Sequence, residues 1–326
     1  MSAPLKIFAL EASEDFGRDI ARRGSFTLSK HEERTFEDEE YKIRPLEAVA
    51  GCDVHVVQSL HAGPKFSADD KLNRLLFFIG ALKDAGAAKV TALAPYLCYA
   101  RKDRRTKWQD PLTLRYVAAL FEAVGTDAVV TMDVHNDAAF ENAFRCRTVA
   151  LTAAPLFVEY ARALNDNRLC VVSPDPGGVK RAQLFREALE KACGVEIGRG
   201  FVEKRRSAGV VQGEYFTGEV KDTTALIIDD LVASGGTLLR AARAVRAQGA
   251  RNVIAFATHG LFMPGSVEAL ADAAIDRVVV TDVVPTFRVT DARLRQKIDV
   301  LPAGGLFADA VHRLHENRRL DDLLAY

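Results

Sequence analysis

The chain has 326 residues, of which 48% are hydrophobic and 27% are charged, a composition typical of a globular protein with two domains of about 150 residues each. Lysine and arginine together number 44, as do aspartate and glutamate, so no net charge attracts nucleic acid or an anionic membrane. The five cysteines are widely spaced without a C-x-x-C pair, which argues against a disulfide framework or a zinc knuckle. Because no apolar stretch approaches ~18 residues and no signal segment opens the sequence, we expect a cytoplasmic protein that binds neither nucleic acid nor a membrane.

Along the chain, short apolar runs rich in β-branched residues alternate with segments of helical period. The predicted strands, in chain order, span residues 54–58, 90–95, 128–132, 169–173, 225–228, 253–258 and 277–281. The predicted helices span residues 70–85, 112–124, 154–164, 179–191 and 238–248. Strands that alternate with helices require parallel sheets with right-handed crossovers, so the predicted fold class is α/β.

The order of strands and polar loops occurs twice, which predicts two similar α/β halves divided near residues 147–151. We assign residues 1–148 to an N-terminal domain and residues 149–290 to a C-terminal domain. No Pro/Gly/Ser-rich tether separates them. Residues 291–326 form a C-terminal segment that ends in a helix, and we expect this segment to pack back on the N-terminal domain.

The segment most informative about chemistry runs from Leu226 to Thr237, reads L-I-I-D-D-L-V-A-S-G-G-T and precedes a predicted helix. A buried strand delivers two carboxylates to its carboxyl end, where open α/β sheets bind ligands. The glycines let backbone N–H groups approach an anion at the helix N-terminus, and the hydroxyls add donors. Such a loop suits a phosphate monoester, and the paired acids suit ribose hydroxyls or a magnesium-bound sugar; a turn that only caps the helix is the alternative. The predicted contacts are Asp229, Asp230, Ala233, Ser234, Gly235, Gly236 and Thr237.

This segment resembles the phosphoribosyl-binding fingerprint of the type I phosphoribosyltransferase fold, a superfamily of transferases and ribose-phosphate pyrophosphokinases. Further segments resemble the pyrophosphokinases, in the same order, from about residue 5 to about residue 305. The resemblance implies two tandem type I phosphoribosyltransferase-like domains, each a mainly parallel sheet flanked by helices. It also implies that the N-terminal domain holds ATP and the C-terminal domain holds ribose 5-phosphate. The S-G-G-T loop, in place of D-T-A-G-T, marks the chain as a divergent member.

Two other segments of the C-terminal domain carry the resemblance. Residues from Ser173 to Arg181 form a glycine-rich turn that opens a helix, and they resemble the family's S-P-D-x-G-G-x-x-R, in which the aspartate, here Asp175, serves a magnesium ion. The E-K-R-R segment that follows matches a K-x-R pair that the family carries on a mobile loop. By that resemblance Lys204 and Arg206 are catalytic and stabilise charge on the transferring phosphorus. Without the family, a helix cap and a solvated turn would explain the two segments.

Two segments of the N-terminal domain match the family's contacts with ATP phosphates. M-D-V-H at the end of a predicted strand resembles V-D-L-H, and His135 would bind the metal or the ATP phosphates. P-Y-L-C-Y-A-R-K-D-R-R resembles P-Y-x-x-Y-A-R-Q-D-R-K, which implies that Arg101 and Lys102 contact ATP. Lys102 replaces the usual glutamine, so these nucleotide contacts are altered from the family pattern.

A third segment, F-E-D-E-E, resembles F-x-D-G-E, which contacts the adenine of ATP bound to a neighbouring subunit. Phe36, Asp38 and Glu40 keep the matching positions, since an aromatic ring can stack on a purine and an acid can accept from its amino group. Glu39 replaces the glycine, so the family's turn does not follow from the sequence alone. This segment implies a homo-oligomer, either a dimer or a multiple of dimers.

The resemblance as a whole implies Mg²⁺-dependent transfer of the β,γ-pyrophosphoryl group of ATP to the C1 hydroxyl of ribose 5-phosphate, which yields 5-phosphoribosyl 1-pyrophosphate and AMP. The implied partners are ATP and ribose 5-phosphate, with Mg²⁺ as cofactor. Two alternatives remain open. A phosphoribosyltransferase would use the S-G-G-T loop but leaves His135 and the segment around Phe36 without a role. A non-catalytic regulatory paralogue should lack metal or loop residues, whereas Asp175, Lys204 and Arg206 are present.

Overall fold

The structure is a computed structural model that describes residues 3–207 and 210–324, without the side chains of residues 204–214. The described residues form two compact units, one of residues 3–152 together with 303–324 and the other of residues 153–302. Each unit is a mainly parallel sheet flanked by helices around its own core of buried apolar side chains, which confirms the predicted α/β fold class. No helix in this part of the chain is long and apolar enough to span a bilayer.

The first unit is built on five parallel strands. Its elements in chain order are β1 (Leu5–Ala9), α1 (Glu14–Gly24), β2 (His31–Thr35), β3 (Tyr41–Pro45), β4 (Asp53–Val57), α2 (Ala68–Asp84), β5 (Lys89–Leu93), α3 (Thr113–Ala123), β6 (Ala128–Met132), α4 (Asp137–Ala143) and β7 (Arg147–Leu151). The sheet order is β1-β4-β5-β6-β7, and β2 pairs with β3 in a separate antiparallel hairpin. Every residue of β4 and β6 is buried, as expected for a parallel sheet covered by helices on both faces.

Helix α2 connects the sheet to the hairpin. It begins at a capping box, in which Ser67 Oγ accepts from the Asp70 N–H over 3.0 Å and the Ser67 N–H donates to Asp70 Oδ2 over 2.8 Å. Leu75 and Ile79, one turn apart, are fully buried against the core. Residues of α2 also contact β3, so the helix supports the hairpin as well as the sheet.

The second unit has a seven-stranded sheet. Its elements in chain order are α5 (Ala154–Ala163), β8 (Leu169–Ser173), α6 (Val179–Cys193), β9 (Gly198–Ser207), β10 (Val210–Gly218), β11 (Thr224–Val232), α7 (Gly236–Ala247), β12 (Asn252–Gly260), α8 (Ser266–Leu270), β13 (Arg277–Thr281), α9 (Ala292–Arg295) and β14 (Ile298–Leu301). The order is β10-β9-β8-β11-β12-β13-β14, and all pairs are parallel except β9 with β10. The carboxyl ends of β8, β11 and β12 therefore lie at one edge of the sheet, where parallel sheets bind ligands.

The last helix, α10 (Gly304–His315), belongs to the first unit and packs on α1. Near its end, His315 Nδ1 lies 2.9 Å from Asp53 Oδ2, and Asp53 is the first residue of β4. Residues 291–302, which the sequence analysis grouped with the C-terminal segment, form α9 and β14 in the second unit instead. The reason is that β14 extends the sheet by pairing with β13.

Candidate functional site

Two adjacent carboxylates lie near the carboxyl end of β11. Asp230 is only 4% exposed, and its backbone N–H donates to Asp229 Oδ1 over 2.9 Å. Arg181, in the first turn of α6, places Nη1 3.7 Å from a carboxylate oxygen of each residue. Burial of Asp229 and the neighbouring Asp230 carboxylate raise the pKa of Asp229 to about 8, although the charge of Arg181 opposes the shift. The carboxyl pair therefore holds a proton at neutral pH when no ligand is bound.

We expect Asp229→Asn to stabilise the folded protein at alkaline pH. The unfolded chain releases this proton near the ordinary pKa of 3.8, whereas the folded protein holds it up to a pKa of about 8. The free energy of unfolding therefore falls as the pH rises between these two values, and an amide removes that loss. The gap in stability between the variant and the unchanged chain should be small at about pH 4 and should be larger by well over ~1.4 kcal/mol, the value of one pKa unit, at about pH 9. Urea unfolding at both pH values measures the gap, and a gap that did not grow with pH would contradict the prediction.

The loop between β11 and α7 is shaped for a close approach to its backbone. Gly235 has a φ of 76°, in the left-handed region that favours glycine. A Cβ atom at this position would lie 3.0 Å from the Leu270 side chain and 3.1 Å from that of Ala269, so packing also restricts it to glycine. No described side chain caps the N-terminus of α7, which leaves its first N–H groups available to an anion. Ser234 is exposed beside this turn.

A second cation lies next to the predicted phosphate contacts. Arg240 Nη2 donates to Thr237 Oγ1 over 3.2 Å, and a Cβ atom at Gly236 would lie 3.4 Å from Arg240 Nη1. The carbonyl oxygen of Ala233 accepts from the Met263 N–H over 3.0 Å, which ties the loop to the segment after β12. Arg240 was not among the site residues predicted from the sequence, where its only signal is its place one turn after the S-G-G-T loop.

Asp175 follows β8 and organises the start of α6. Its Oδ1 accepts from the Gly178 N–H over 3.0 Å, and its carbonyl oxygen accepts from Ser173 Oγ over 2.7 Å. The carboxylate thus caps the short 3₁₀ turn Pro176–Gly178, which leads directly into α6 and brings Arg181 to the acid pair of β11. Arg181 was missed as a site residue, although it is the final residue of the S-P-D-x-G-G-x-x-R pattern and could have been found from it.

The E-K-R-R segment lies on strand β9, so the prediction that it forms a loop was wrong. The backbone of Lys204 and Arg206 belongs to β9, with Lys204 opposite Glu214 and Arg206 opposite Val211 on β10. The prediction gave weight to three adjacent cations and overlooked the valine, tyrosine, phenylalanine and threonine of residues 210–217, which favour a strand. Because the side chains of both residues lie outside the described part of the chain, their catalytic role stays a prediction.

In the first unit, the residue predicted to bind metal or phosphate follows the end of β6. The chain turns there at Asp133, which has a φ of 39°, and His135 is exposed two residues later. Asn136 Nδ2 donates to Asp103 Oδ2 over 2.7 Å. This bond connects the turn that carries His135 to the segment that carries Arg101, so two of the predicted ATP contacts lie in one region of the unit.

Arg101 and Lys102 differ in their surroundings. Lys102 Nζ lies 2.9 Å from Asp110 Oδ2, and the same oxygen accepts from the backbone N–H groups of Thr106 and Lys107 over 2.9 and 3.0 Å. The Thr106 hydroxyl and the Lys102 ammonium hold the pKa of Asp110 far below its usual range. Arg101 is exposed, whereas Lys102 holds its own loop together. A role of Lys102 in binding ATP would therefore compete with this ion pair.

Residues 36–40 form the turn of the β2–β3 hairpin. The Phe36 N–H donates to the Glu40 carbonyl oxygen over 2.7 Å, and the Glu40 N–H donates to Asp38 Oδ1 over 3.2 Å. Glu39, which replaces the family's glycine, has a φ of 67° and so adopts the left-handed conformation itself, at a steric cost of about 1 kcal/mol. The Phe36 side chain is 41% exposed, which leaves its ring accessible to a ligand.

Known proteins match nearly the whole chain. Residues 5–125 match the N-terminal domain of ribose phosphate pyrophosphokinase, and residues 210–325 match the phosphoribosyl synthetase-associated domain. A ribose-phosphate pyrophosphokinase of Caldanaerobacter subterraneus subsp. tengcongensis is 36% identical over 322 residues, which cover 98% of this chain and 97% of the relative. One of Clostridium perfringens is 34% identical over 327 residues, which cover 99% and 98%. The crystal structure of phosphoribosylpyrophosphate synthetase from Mycobacterium smegmatis superposes with a TM-score of 0.84 at 30% identity and covers 96% of this chain and 99% of that one.

Proposed function

The chain belongs to the ribose-phosphate pyrophosphokinase family, and on that basis we propose that it transfers the β,γ-pyrophosphoryl group of ATP to the C1 hydroxyl of ribose 5-phosphate. The products are 5-phosphoribosyl 1-pyrophosphate and AMP. One observation of the structure carries this proposal: the Asp229–Asp230 pair lies near the carboxyl end of β11, and a short turn leads from there to the N-terminus of α7, which no described side chain caps. The acids suit ribose hydroxyls, and the helix N-terminus suits a phosphate.

The second unit holds the acceptor sugar. Its 5-phosphate binds the first N–H groups of α7 and the hydroxyls of Ser234 and Thr237, while Arg240 beside Thr237 adds a positive charge. The carboxylates of Asp229 and Asp230 accept hydrogen bonds from the ribose hydroxyls. Because hydroxyl donors favour the ionised form of a carboxyl group, sugar binding lowers the pKa of Asp229 from about 8 and releases a proton.

The first unit holds the triphosphate of ATP. Arg101 is an exposed cation in a loop that Asp103 ties to the turn of His135, so both can face the same phosphates. Lys102 is the third proposed contact, but its ion pair with Asp110 makes it the weaker candidate. We therefore assign the principal charge neutralisation in this unit to Arg101.

The adenine is held by the turn of the β2–β3 hairpin in a neighbouring subunit. The partly exposed Phe36 ring stacks on the purine, and Asp38 and Glu40 accept from its amino group. A turn that serves a neighbour's ATP requires at least a dimer. Sedimentation of the active enzyme tests this requirement, because a fully active monomer would contradict it.

Mg²⁺ is the metal that these residues fit. It prefers oxygen ligands and usually combines one or two carboxylates with substrate phosphates and water. No group of three or more His, Cys, Asp or Glu among the described residues could hold an ion alone, so an ion here needs substrate oxygens. The proposed protein ligand for such an ion is His135 in the first unit and Asp175 in the second unit. When bound, the ion neutralises charge on the transferring phosphoryl oxygens, and its removal by a chelator should abolish AMP formation.

Transfer is an in-line displacement. The C1 hydroxyl attacks the β-phosphorus, the bond from that phosphorus to the α,β-bridging oxygen breaks, and AMP leaves while the hydroxyl proton passes to water. Lys204 and Arg206 neutralise the oxygens of the transferring group. Catalysis is thus mainly positioning and charge neutralisation, which needs no dedicated general base.

One assay tests the proposal. The purified protein is incubated with ribose 5-phosphate, ATP and Mg²⁺, and AMP and 5-phosphoribosyl 1-pyrophosphate are quantified together. We expect both products in equal amounts, and neither when ribose 5-phosphate is omitted. ADP as the sole nucleotide product, or no ribose-dependent AMP, would overturn the proposal.

A further inference from the structure

A buried arginine outside the predicted site contacts the hairpin that carries Phe36. Arg74, on α2, is 4% exposed, and its Cζ lies 4.1 Å from the ring centre of Tyr41 and 4.5 Å from that of Phe66. Its Nη1 donates to Glu33 Oε2 over 3.3 Å, and its Nη2 donates to Thr35 Oγ1 over 3.1 Å. A buried cation is unfavourable unless it is paired and hydrogen-bonded, so these four contacts hold the guanidinium in one position.

Two of the four contacts flank the turn of the hairpin. Thr35 is the last residue of β2, Tyr41 is the first residue of β3, and the two are opposite each other in the strand register. The turn of residues 36–40 lies between them. Tyr41 also stacks on Phe77 of α2, with ring centres 5.6 Å apart. Because a single guanidinium contacts both flanking residues, Arg74 fixes the orientation of the hairpin turn relative to α2.

The acidic partner of Arg74 is itself fixed. The Glu33 side chain is 6% exposed, and its Oε1 accepts from the Glu11 N–H over 2.6 Å and lies 3.0 Å from His31 Nε2. Burial would raise the pKa of Glu33, but the bonds to His31 and Glu11 and the charge of Arg74 lower it below its ordinary value. Glu33 therefore remains a carboxylate, and Arg74 has a stationary counter-charge.

We propose that Arg74 is a positioning residue for the nucleotide base, which acts through the turn of residues 36–40 and touches no substrate. The inference rests on the proposed role of this turn in binding adenine. A planar guanidinium can lie flat between two rings while its two Nη atoms bond separate acceptors, whereas an ammonium cannot do both. Arginine at this position should therefore determine the affinity for ATP and leave the affinity for ribose 5-phosphate unaffected.

The test uses Arg74→Lys and Thr35→Val in the full chain. Arg74→Lys keeps the charge but removes the planar guanidinium with its two Nη donors, and we expect it to raise the KM for ATP about tenfold. Thr35→Val removes a single acceptor at an exposed position of a strand that tolerates β-branched residues, and we expect a rise of about threefold. In both variants, kcat and the KM for ribose 5-phosphate should stay within about twofold of the unchanged chain. If Arg74→Lys fails to fold, Thr35→Val alone decides the test.

Two further variants distinguish a failure of the premise, that the turn binds adenine, from a failure of the proposed role of Arg74. Arg44→Gln breaks the ion pair with Glu32 at the far end of the same hairpin, and we expect it to leave the KM for ATP unchanged. Phe36→Ala tests the premise: an unchanged KM for ATP would remove the turn from the nucleotide site and overturn the inference, while ribose-dependent AMP formation could still stand. A raised KM in Phe36→Ala with no rise in Thr35→Val and Arg74→Lys would overturn the role of Arg74 alone. A parallel loss of kcat and of both affinities would identify a merely structural role.

Discussion

Replacing Lys204 with alanine is expected to lower kcat by about a thousandfold and to leave the Kd of ribose 5-phosphate within about threefold of its value in the unchanged chain. The proposed sugar contacts lie on β11 and at the start of α7, and none of them is part of β9. The charge that Lys204 would neutralise develops on the transferring phosphoryl group, so the interaction strengthens only in the transition state. Single-turnover AMP formation measures the rate, and equilibrium binding of ribose 5-phosphate measures the affinity.

Arg205→Ala is the matched control for this prediction. It removes one positive charge from the neighbouring residue of the same strand, and position 205 is the variable residue of the family's K-x-R pair. We expect a change in kcat of less than about threefold. If Lys204→Ala weakened ribose 5-phosphate binding as much as it lowered kcat, Lys204 would contribute to substrate binding. Its proposed role in stabilising the transition state would then be wrong.

The buried strands of the fold could be predicted because their signal is local. Strands β6, β8 and β13 begin and end where the sequence placed them, since each is a short, mainly apolar run rich in β-branched residues in a parallel sheet. The β2–β3 hairpin gave no such signal, because all five residues of His31–Thr35 are polar or charged and show no apolar alternation. Its hydrogen bonds to Arg74 of α2 join residues far apart in sequence, a contact that periodicity does not reveal.

The site residues likewise divide into those with a local sequence signal and those that only the tertiary fold brings together. Asp229, Asp230 and the S-G-G-T loop were found because they are contiguous and a strand followed by a helix fixes their arrangement. Arg181 reaches the acid pair only because α6 packs beside β11, and this contact depends on the tertiary fold. At Glu39 the sequence left the turn undetermined, since a residue other than glycine rarely adopts a positive φ; in the structure Glu39 has a positive φ in the turn between the paired strands β2 and β3.

The acid pair is also where stability and function oppose each other. An asparagine at position 229 should stabilise the protein at high pH, yet it would remove one of the two carboxylates proposed to accept hydrogen bonds from the sugar. Strongly shifted pKa values cluster at functional sites, where a cost in stability is retained because the groups contact a ligand. Of the two residues, Asp230 is the more deeply buried member of the pair.

Replacing Asp230 with asparagine is therefore expected to lower kcat/KM for ribose 5-phosphate by at least about a hundredfold. A carboxylate can accept from two ribose hydroxyls, and hydrogen bonds to a charged group contribute roughly 1.5–3 kcal/mol each. Asparagine removes one of these bonds and the charge that strengthens the other, and this combined loss corresponds to about that factor. The amide offers one acceptor, and its NH₂ group would face hydroxyl donors and Arg181, which lies 3.7 Å from the present carboxylate. Initial rates of AMP formation at saturating ATP measure the effect.

Asp222→Asn provides the control for Asp230→Asn. It makes the same chemical change two residues before the start of β11, at the opposite end of the strand from the acid pair. Asp222 is exposed and has a φ of 58°, a conformation that asparagine adopts readily, so the fold should be unaffected. We expect kcat/KM within about twofold of the unchanged chain. Equal losses in the two variants would place the ribose hydroxyls elsewhere, because Asp222 lies at the opposite end of β11 from the proposed sugar contacts.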